Sequence, residues 1–542
     1  MFHYSSKLAA VCFVLVTITM LRVGESHTQN TGPTNSAGKV LPADAAPLSQ
    51  QVVRFMSPEP RTLDSSINDY DTESTIIPFE PLLRRDENWM PVPGAADSYQ
   101  SSEDGKTWTF QMRSGAKWSD GRPVTAHDFV YSFRRMVNPG EANPYAGFYY
   151  DIKNAQAINR GDIKDLARLG VRAVDDLTLV IETENAAPYL PYIVSYGSAF
   201  PVPRWQVEKY DRKWTLLGNI VSNSGFKLGD WVNGSHMTFV PDPNYNGPHK
   251  PYVEKVIHPF REAATATILP YENDEVDIEV VDITDLDRIE KDQQLSRDLV
   301  KVAARASWYL FFRTKRPPFD DIRVREAFAR GINREAISRV ILRGTAVPGY
   351  SMIPPEFTEY SGDVLKSAQA YDPARSKQLM REAGYPNGRG FPRQEMWLRA
   401  PTPSVNLVGQ AITSMLKDNL GIDTTIRTAD RTMYMNDLYN WRRNLGFIVF
   451  YADYLDPRNM LDMIWHSQPQ GFSRSDWSNL EFDRLVEEAA AELDPERRKS
   501  LYRQAEKIMV EDYAGAFLYH PVNLELRKPW IKGYSINPNG IS

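Results

Sequence analysis

The chain of 542 residues has a single cysteine, Cys12, and it lies inside an apolar run near the start, so no residue beyond it can form a disulfide. Stability must then come from packing alone, even in an oxidising compartment. Beyond residue 21 no segment approaches the ~20 consecutive apolar residues that a membrane-spanning helix needs. Concentrated positive charge is also missing: the formal net charge is −6 and no Lys/Arg block stands out. That disfavours nucleic acid and anionic membrane surfaces as partners. The eight histidines are scattered and never stand four apart, so no metal or other cofactor is expected. There is no G-x-S-x-G elbow and no dinucleotide glycine fingerprint. A "GKT" occurs at 105–107, but the residue five before Gly105 is Gln100, not the glycine of a phosphate loop. No catalytic residue is expected, and the protein reads as a non-enzyme.

The amino end has the order of a secretory signal: Lys7, the apolar run Leu8–Leu21, then small residues, giving a signal peptide over 1–26. Cys12 follows Val11 within that run, not at its end, so lipidation is not expected. Residues 27–50 are rich in Ser, Thr, Asn, Ala, Gly and Pro without periodicity, and are expected to form a flexible leader.

Order is predicted from Gln51. "QVVRFM" reads as a strand, and 96–113 as two strands joined at Asp104-Gly105. Helices are predicted from the apolar stripe over 320–342, from Asp372-Pro373 to Gly384, and from Asp494-Pro495. "TLVIET", "MTFVP" and "DTTIRT" read as strands between them, which makes a mixed α/β protein. With 42% apolar residues the chain has material for more than one core, and two or more lobes are expected. His127 and Asp128 fit a helix surface and cap rather than a site.

One stretch resists a purely structural account. "FYADYLDP" at 450–457 sets Asp453 and Asp456 among Phe450, Tyr451 and Tyr454. Its local reading is a strand ending in an Asp-Pro turn. A carboxylate desolvated beside rings costs several kcal/mol unless a cation or donors compensate. No basic residue stands inside the motif, so the cation can come from a guest, and an ammonium also gains ~0.5–2 kcal/mol from ring faces.

Seven stretches together resemble the periplasmic oligopeptide-binding proteins of ABC importers, within extracellular solute-binding family five. They are 59–66 "EPRTLDSS", 97–139, "NPYAGFYY" at 143–150, 222–248, 316–337, 370–388 and "YADYLDP". The resemblance implies a two-lobed periplasmic-binding-protein fold with an extra inserted domain. Its domain I is discontinuous (51–80, 205–304 and 521–542), domain II is inserted (81–204), and domain III covers 305–520. It implies a monomer in the periplasm that binds a short peptide between closing lobes and delivers it to permease subunits in the inner membrane. Asp453 matches the acid that pairs with the peptide's amino terminus, Tyr145 a tyrosine packed on the ligand backbone, and Phe450 the place of a pocket tryptophan. Trp308 and Tyr309 fall in the strand bordering the peptide, or are ordinary core aromatics, and Asp69 lies near an acid of the first domain. Arg431 stands where relatives have a pocket tryptophan and Phe447 where some have a carboxylate-binding arginine, with Arg442 and Arg443 as nearby substitutes or simply solvated charges. If Arg431 faces the cleft, the cargo carries an additional acid. Non-peptide cargoes (metal chelate, haem, opine or oligosaccharide) and a secreted hydrolase are the alternatives.

Overall fold

The computed structural model describes residues 32–67, 77–261, 267–467 and 474–534. The expected signal peptide and Asp69 lie outside the described residues.

Alternating apolar segments and turn residues generate three main sheets. Val52–Arg54, Lys255–Pro259, His236–Pro241 and Phe226–Val232 form a four-stranded sheet in that order. A second four-stranded sheet is built from Ala96–Ser101, Thr107–Met112, Thr178–Glu182 and Val171–Ala173, in that order. Its first two strands are the predicted hairpin, and Gly105 takes a φ of +66° in the turn, a region open to glycine. The capping box at Thr125 and Asp128 starts the helix Ala126–Val137 that packs on this sheet.

The third and largest sheet is organised by one strand of 13 residues, Gly515–Arg527. Its first part pairs with Ala306–Phe312, while its later part pairs with Leu299–Ala303 and Ile278–Val280. The chain also passes directly from Leu299–Ala303 into Ala306–Phe312, with the Ala304 N–H donating to the Pro521 carbonyl at 2.9 Å. Two adjacent connections thus carry the backbone from one part of the molecule to the other. Ala306–Phe312 pairs antiparallel with Leu445–Tyr451, which in turn pairs parallel with Gln394–Arg399.

Alternation along Ala306–Phe312 divides its side chains between two cores. Tyr309 and Phe311 pack with the core that includes the 81–204 region, whereas Leu310 and Phe312 join the core under the helices of 322–420. Asp372 caps Pro373–Glu382 and Asp494 caps Pro495–Glu511, as the Asp-Pro pairs predict. The predicted helix over 320–342 is interrupted: Ile322–Gly331 ends, and Asn333 starts a new turn by accepting from the Ala336 N–H.

Residues 32–50 differ from the flexible leader expected of their composition. The Asn35 side chain donates to the Pro251 and Tyr252 carbonyls at 2.7 and 3.2 Å, and Ala37 and Leu41 are buried. A few specific contacts outweigh low hydrophobicity here.

Candidate functional site

Where Leu445–Tyr451 runs out, the chain turns through Ala452 to Pro457 and enters a short helix, Pro457–Met460. Asp453 sits in that turn, half-buried. Its backbone N–H donates to Asn459 Oδ1 at 2.8 Å, and Asn459 Nδ2 donates back to Asp453 Oδ2 at 3.0 Å. Tyr196, 257 residues away in sequence, donates its hydroxyl to Asp453 Oδ1 at 3.2 Å. No Lys or Arg among the described residues forms an ion pair with Asp453. Burial pushes its carboxyl above the ordinary carboxylate range, while the bonds from Asn459 and Tyr196 and the fields of Arg474 and Arg85 pull the other way. This is a carboxylate held in place by neutral donors.

Asp456 has a different environment. Arg498 donates to both of its oxygens at 2.7 and 2.8 Å, and Asp456 also caps the following helix through the Arg458 N–H at 3.0 Å. Its charge is matched inside the protein.

Tyr145 lies in the electrostatic reach of Asp453. It is buried, its ring meets Tyr196 edge-to-face with centroids 5.4 Å apart, and Asp453 contributes with burial to raising its pKa. Phe450 is buried two residues before the turn, with the Arg474 guanidinium 4.8 Å from its ring centre. Arg431 begins the helix Arg431–Tyr439, exposed, and acts electrostatically on Tyr145. Trp308 and Tyr309 point to opposite faces of their strand. Tyr309 is fully buried against Trp465 and Phe517. Trp308 stacks with Tyr519 and lines a cavity of about 280 Å³ together with Tyr451, Met56 and Ser57. Phe447 packs into the same aromatic cluster as Trp308. Arg442 and Arg443 both pair with Asp437, and Arg443 also covers the Trp397 ring.

Sequence reasoning missed Tyr196, Asn459, Arg85, Arg399 and Arg474. Asn459 could have been found, because it stands six residues after Asp453 in the same segment. Tyr196 carries no local signal.

The edge of Leu445–Tyr451 is a second feature of the site. Gln394–Arg399 pairs with it only from Leu445 to Phe447, so among the described residues Ile448–Tyr451 has a strand on one side only, and the Arg474 guanidinium donates to the Val449 carbonyl at 3.0 Å. Across the turn, Arg458 pairs with Asp151 at 2.7 Å and Phe148 meets Tyr454 with centroids 6.0 Å apart. The segment carrying Asp453 is thus seated against the 145–196 region.

The chain matches the family model of bacterial extracellular solute-binding proteins, family 5 (middle), over residues 90–472. It is 30% identical over 498 residues to the periplasmic oligopeptide-binding protein OppA of Salmonella typhimurium, with 90% of each chain covered. It is 30% identical over 500 residues to the periplasmic murein peptide-binding protein MppA of Escherichia coli, covering 90% of this chain and 91% of that one. The crystal structure of Haemophilus influenzae OppA in complex with RPPGFSPFR matches with a TM-score of 0.79 at 26% identity, covering 90% of this chain and 96% of the other. The match of the family model over more than half the chain, with the fold and the near-full-length relatives, shows that the chain belongs to the bacterial extracellular solute-binding proteins of family 5.

Proposed function

We propose that this protein is the solute-capturing component of an ABC importer, that it holds short peptides by their free amino end, and that it passes them to permease subunits in the inner membrane. The observation that carries the reading is Asp453: a half-buried carboxylate positioned by Tyr196 and Asn459, with no ion-paired protein cation among the described residues. A protonated amino group supplies the missing charge, and nearby tyrosine rings favour it further. The one-sided edge at Ile448–Tyr451 suits an extended backbone added as a strand, which gives affinity independent of side-chain identity. In this reading the protein works as a periplasmic monomer. Domain I (51–80, 205–304, 521–542) and domain II (81–204) move against domain III (305–520) about the connections near 304 and 521. Guest binding shifts the population toward the closed arrangement that the permease distinguishes.

Incubating the protein with a mixture of short peptides and releasing the bound molecules in native mass spectrometry tests this directly. Intact peptides with free amino ends are expected. Shortened products would indicate a hydrolase, and failure to retain any peptide would overturn the reading.

A further inference from the structure

Two adjacent residues after the Asp453 turn have partners in different parts of the molecule. Asn459, fully buried, exchanges two hydrogen bonds with Asp453. Arg458, also buried, reaches the 145–196 region. It pairs with Asp151 at 2.7 Å, lies 4.5 Å from the centre of the Tyr189 ring, and pairs with Asp462 of its own segment at 3.2 Å. The Tyr189 carbonyl accepts from the Tyr192 N–H at 3.0 Å, at the start of the short helix Leu190–Ile193. Past its end the Tyr196 N–H donates to the Ile193 carbonyl at 3.0 Å. One short helix therefore connects the ring beside Arg458 to the tyrosine whose hydroxyl reaches Asp453 at 3.2 Å. The contacts close a circuit, from Asp453 through Asn459 and Arg458 to Asp151 and Tyr189, then through the helix to Tyr196 and back to Asp453. A largely buried ion pair resists separation, because parting it leaves charges withdrawn from water and unmatched. The Arg458–Asp151 pair thus holds the two sides of the circuit together.

We propose that Arg458 and Asp151 are positioning residues for guest capture: their ion pair seats the Asp453 turn on the 145–196 region and thereby delivers the Tyr196 hydroxyl to the Asp453 carboxylate. The inference rests on amino-end capture by Asp453. The groups that face this carboxylate are Asn459 and Tyr196 by hydrogen bond, Arg474 and Arg85 by their fields, and the hydroxyls of Tyr145 and Tyr149. Asn459 belongs to the turn itself and stays with it. Tyr196 and Arg85 come from the other side of the ion pair, and both favour the ionised carboxylate. Loosening the pair therefore makes Asp453 take up its proton at a higher pH.

Asp151→Ala opens the pair from the side whose side chain is 28% exposed, and it leaves Arg458 its second partner, Asp462. Calorimetric titration with free-amine Ala-Ala-Ala, repeated from pH 7 down to about pH 4, gives the pH at which affinity begins to fall. In Asp151→Ala that pH should rise by roughly 0.5–1 unit, the worth of one hydrogen bond. Tyr196→Phe should raise it by a similar amount. The double variant should rise no further than Tyr196→Phe alone, because both substitutions remove the same bond. An unmoved profile in Asp151→Ala, including one accompanied by lost stability, would leave the ion pair a purely structural role and overturn the inference. Shifts that add in the double variant would also overturn it, since the pair would then act by a route other than Tyr196. Either result leaves amino-end capture standing, whereas a wild-type protein that binds no such peptide, or binds it with no decline in acid, would overturn capture as well.

Discussion

Asp456 receives both nitrogens of the Arg498 fork, at 2.7 and 2.8 Å, and caps a helix. Asp453, three residues earlier in the same turn, is held by an amide and a phenol and pairs with no described cation. Both lie among tyrosine rings and both are withdrawn from water. What separates them is where the compensating charge resides. Asp456 is neutralised when the chain folds, so it contributes to holding the turn against the Pro495–Glu511 helix. Asp453 has only neutral hydrogen-bond donors and no ion-paired cation among the described residues, which costs stability and leaves it available to a cationic guest.

The comparison can be broken most forcefully at Arg498. Arg498→Met should leave Asp456 buried without its partner and destabilise the protein by roughly 3–5 kcal/mol in chemical unfolding. A change below about 1 kcal/mol would mean that the pair behaves like a surface ion pair and that the contrast with Asp453 is unfounded. Next in size is the effect of a guest: a free-amine peptide at 100 times its dissociation constant should stabilise the protein by about 2.7 kcal/mol, read as a rise in melting temperature. N-acetylation of the same peptide should remove most of that rise, and an equal rise for both would contradict the role of Asp453.

A smaller effect should appear in the empty protein. Burial raises the folded-state pKa of Asp453 above its unfolded value, so the ionised group costs stability at neutral pH, and this cost vanishes as pH falls through the raised value. Asp453→Asn is therefore expected to stabilise the empty protein at pH 7, by about 1 kcal/mol, with the gain shrinking in acid. Binding should follow the opposite course. Affinity for free-amine peptides should decline as pH drops and Asp453 takes up its proton, while the peptide's amino group stays charged throughout. Loss of stability in Asp453→Asn at neutral pH would show that the carboxylate is structural after all.

Much of the fold was legible because its signals are local. Asp372-Pro373 and Asp494-Pro495 cap helices, and Asp104-Gly105 turns a hairpin, through contacts within a few residues. The break after Gly331 was harder to see: the apolar stripe continues across it, and only the Asn333 side chain recapping the backbone reveals the new start. Composition misled at 32–50, where Asn35 reaches carbonyls more than 200 residues away. The site divides in the same manner. Asp453 stands out in the sequence by its aromatic setting and by the lack of a basic residue inside its motif. Tyr196 was not, because only tertiary folding brings its hydroxyl to the carboxylate. Tyr309 and Trp308 could not be separated until the strand's register showed one turned into the core and the other toward the cavity.

The central claim is that the Asp453 carboxylate receives the guest's protonated amino end. Titration calorimetry of one peptide, free and N-acetylated, against the wild-type protein and Asp453→Asn tests it in four measurements. Affinity for the free-amine peptide should fall at least ~10-fold more on substitution than affinity for the acetylated one. Equal losses for the two peptides would contradict the claim.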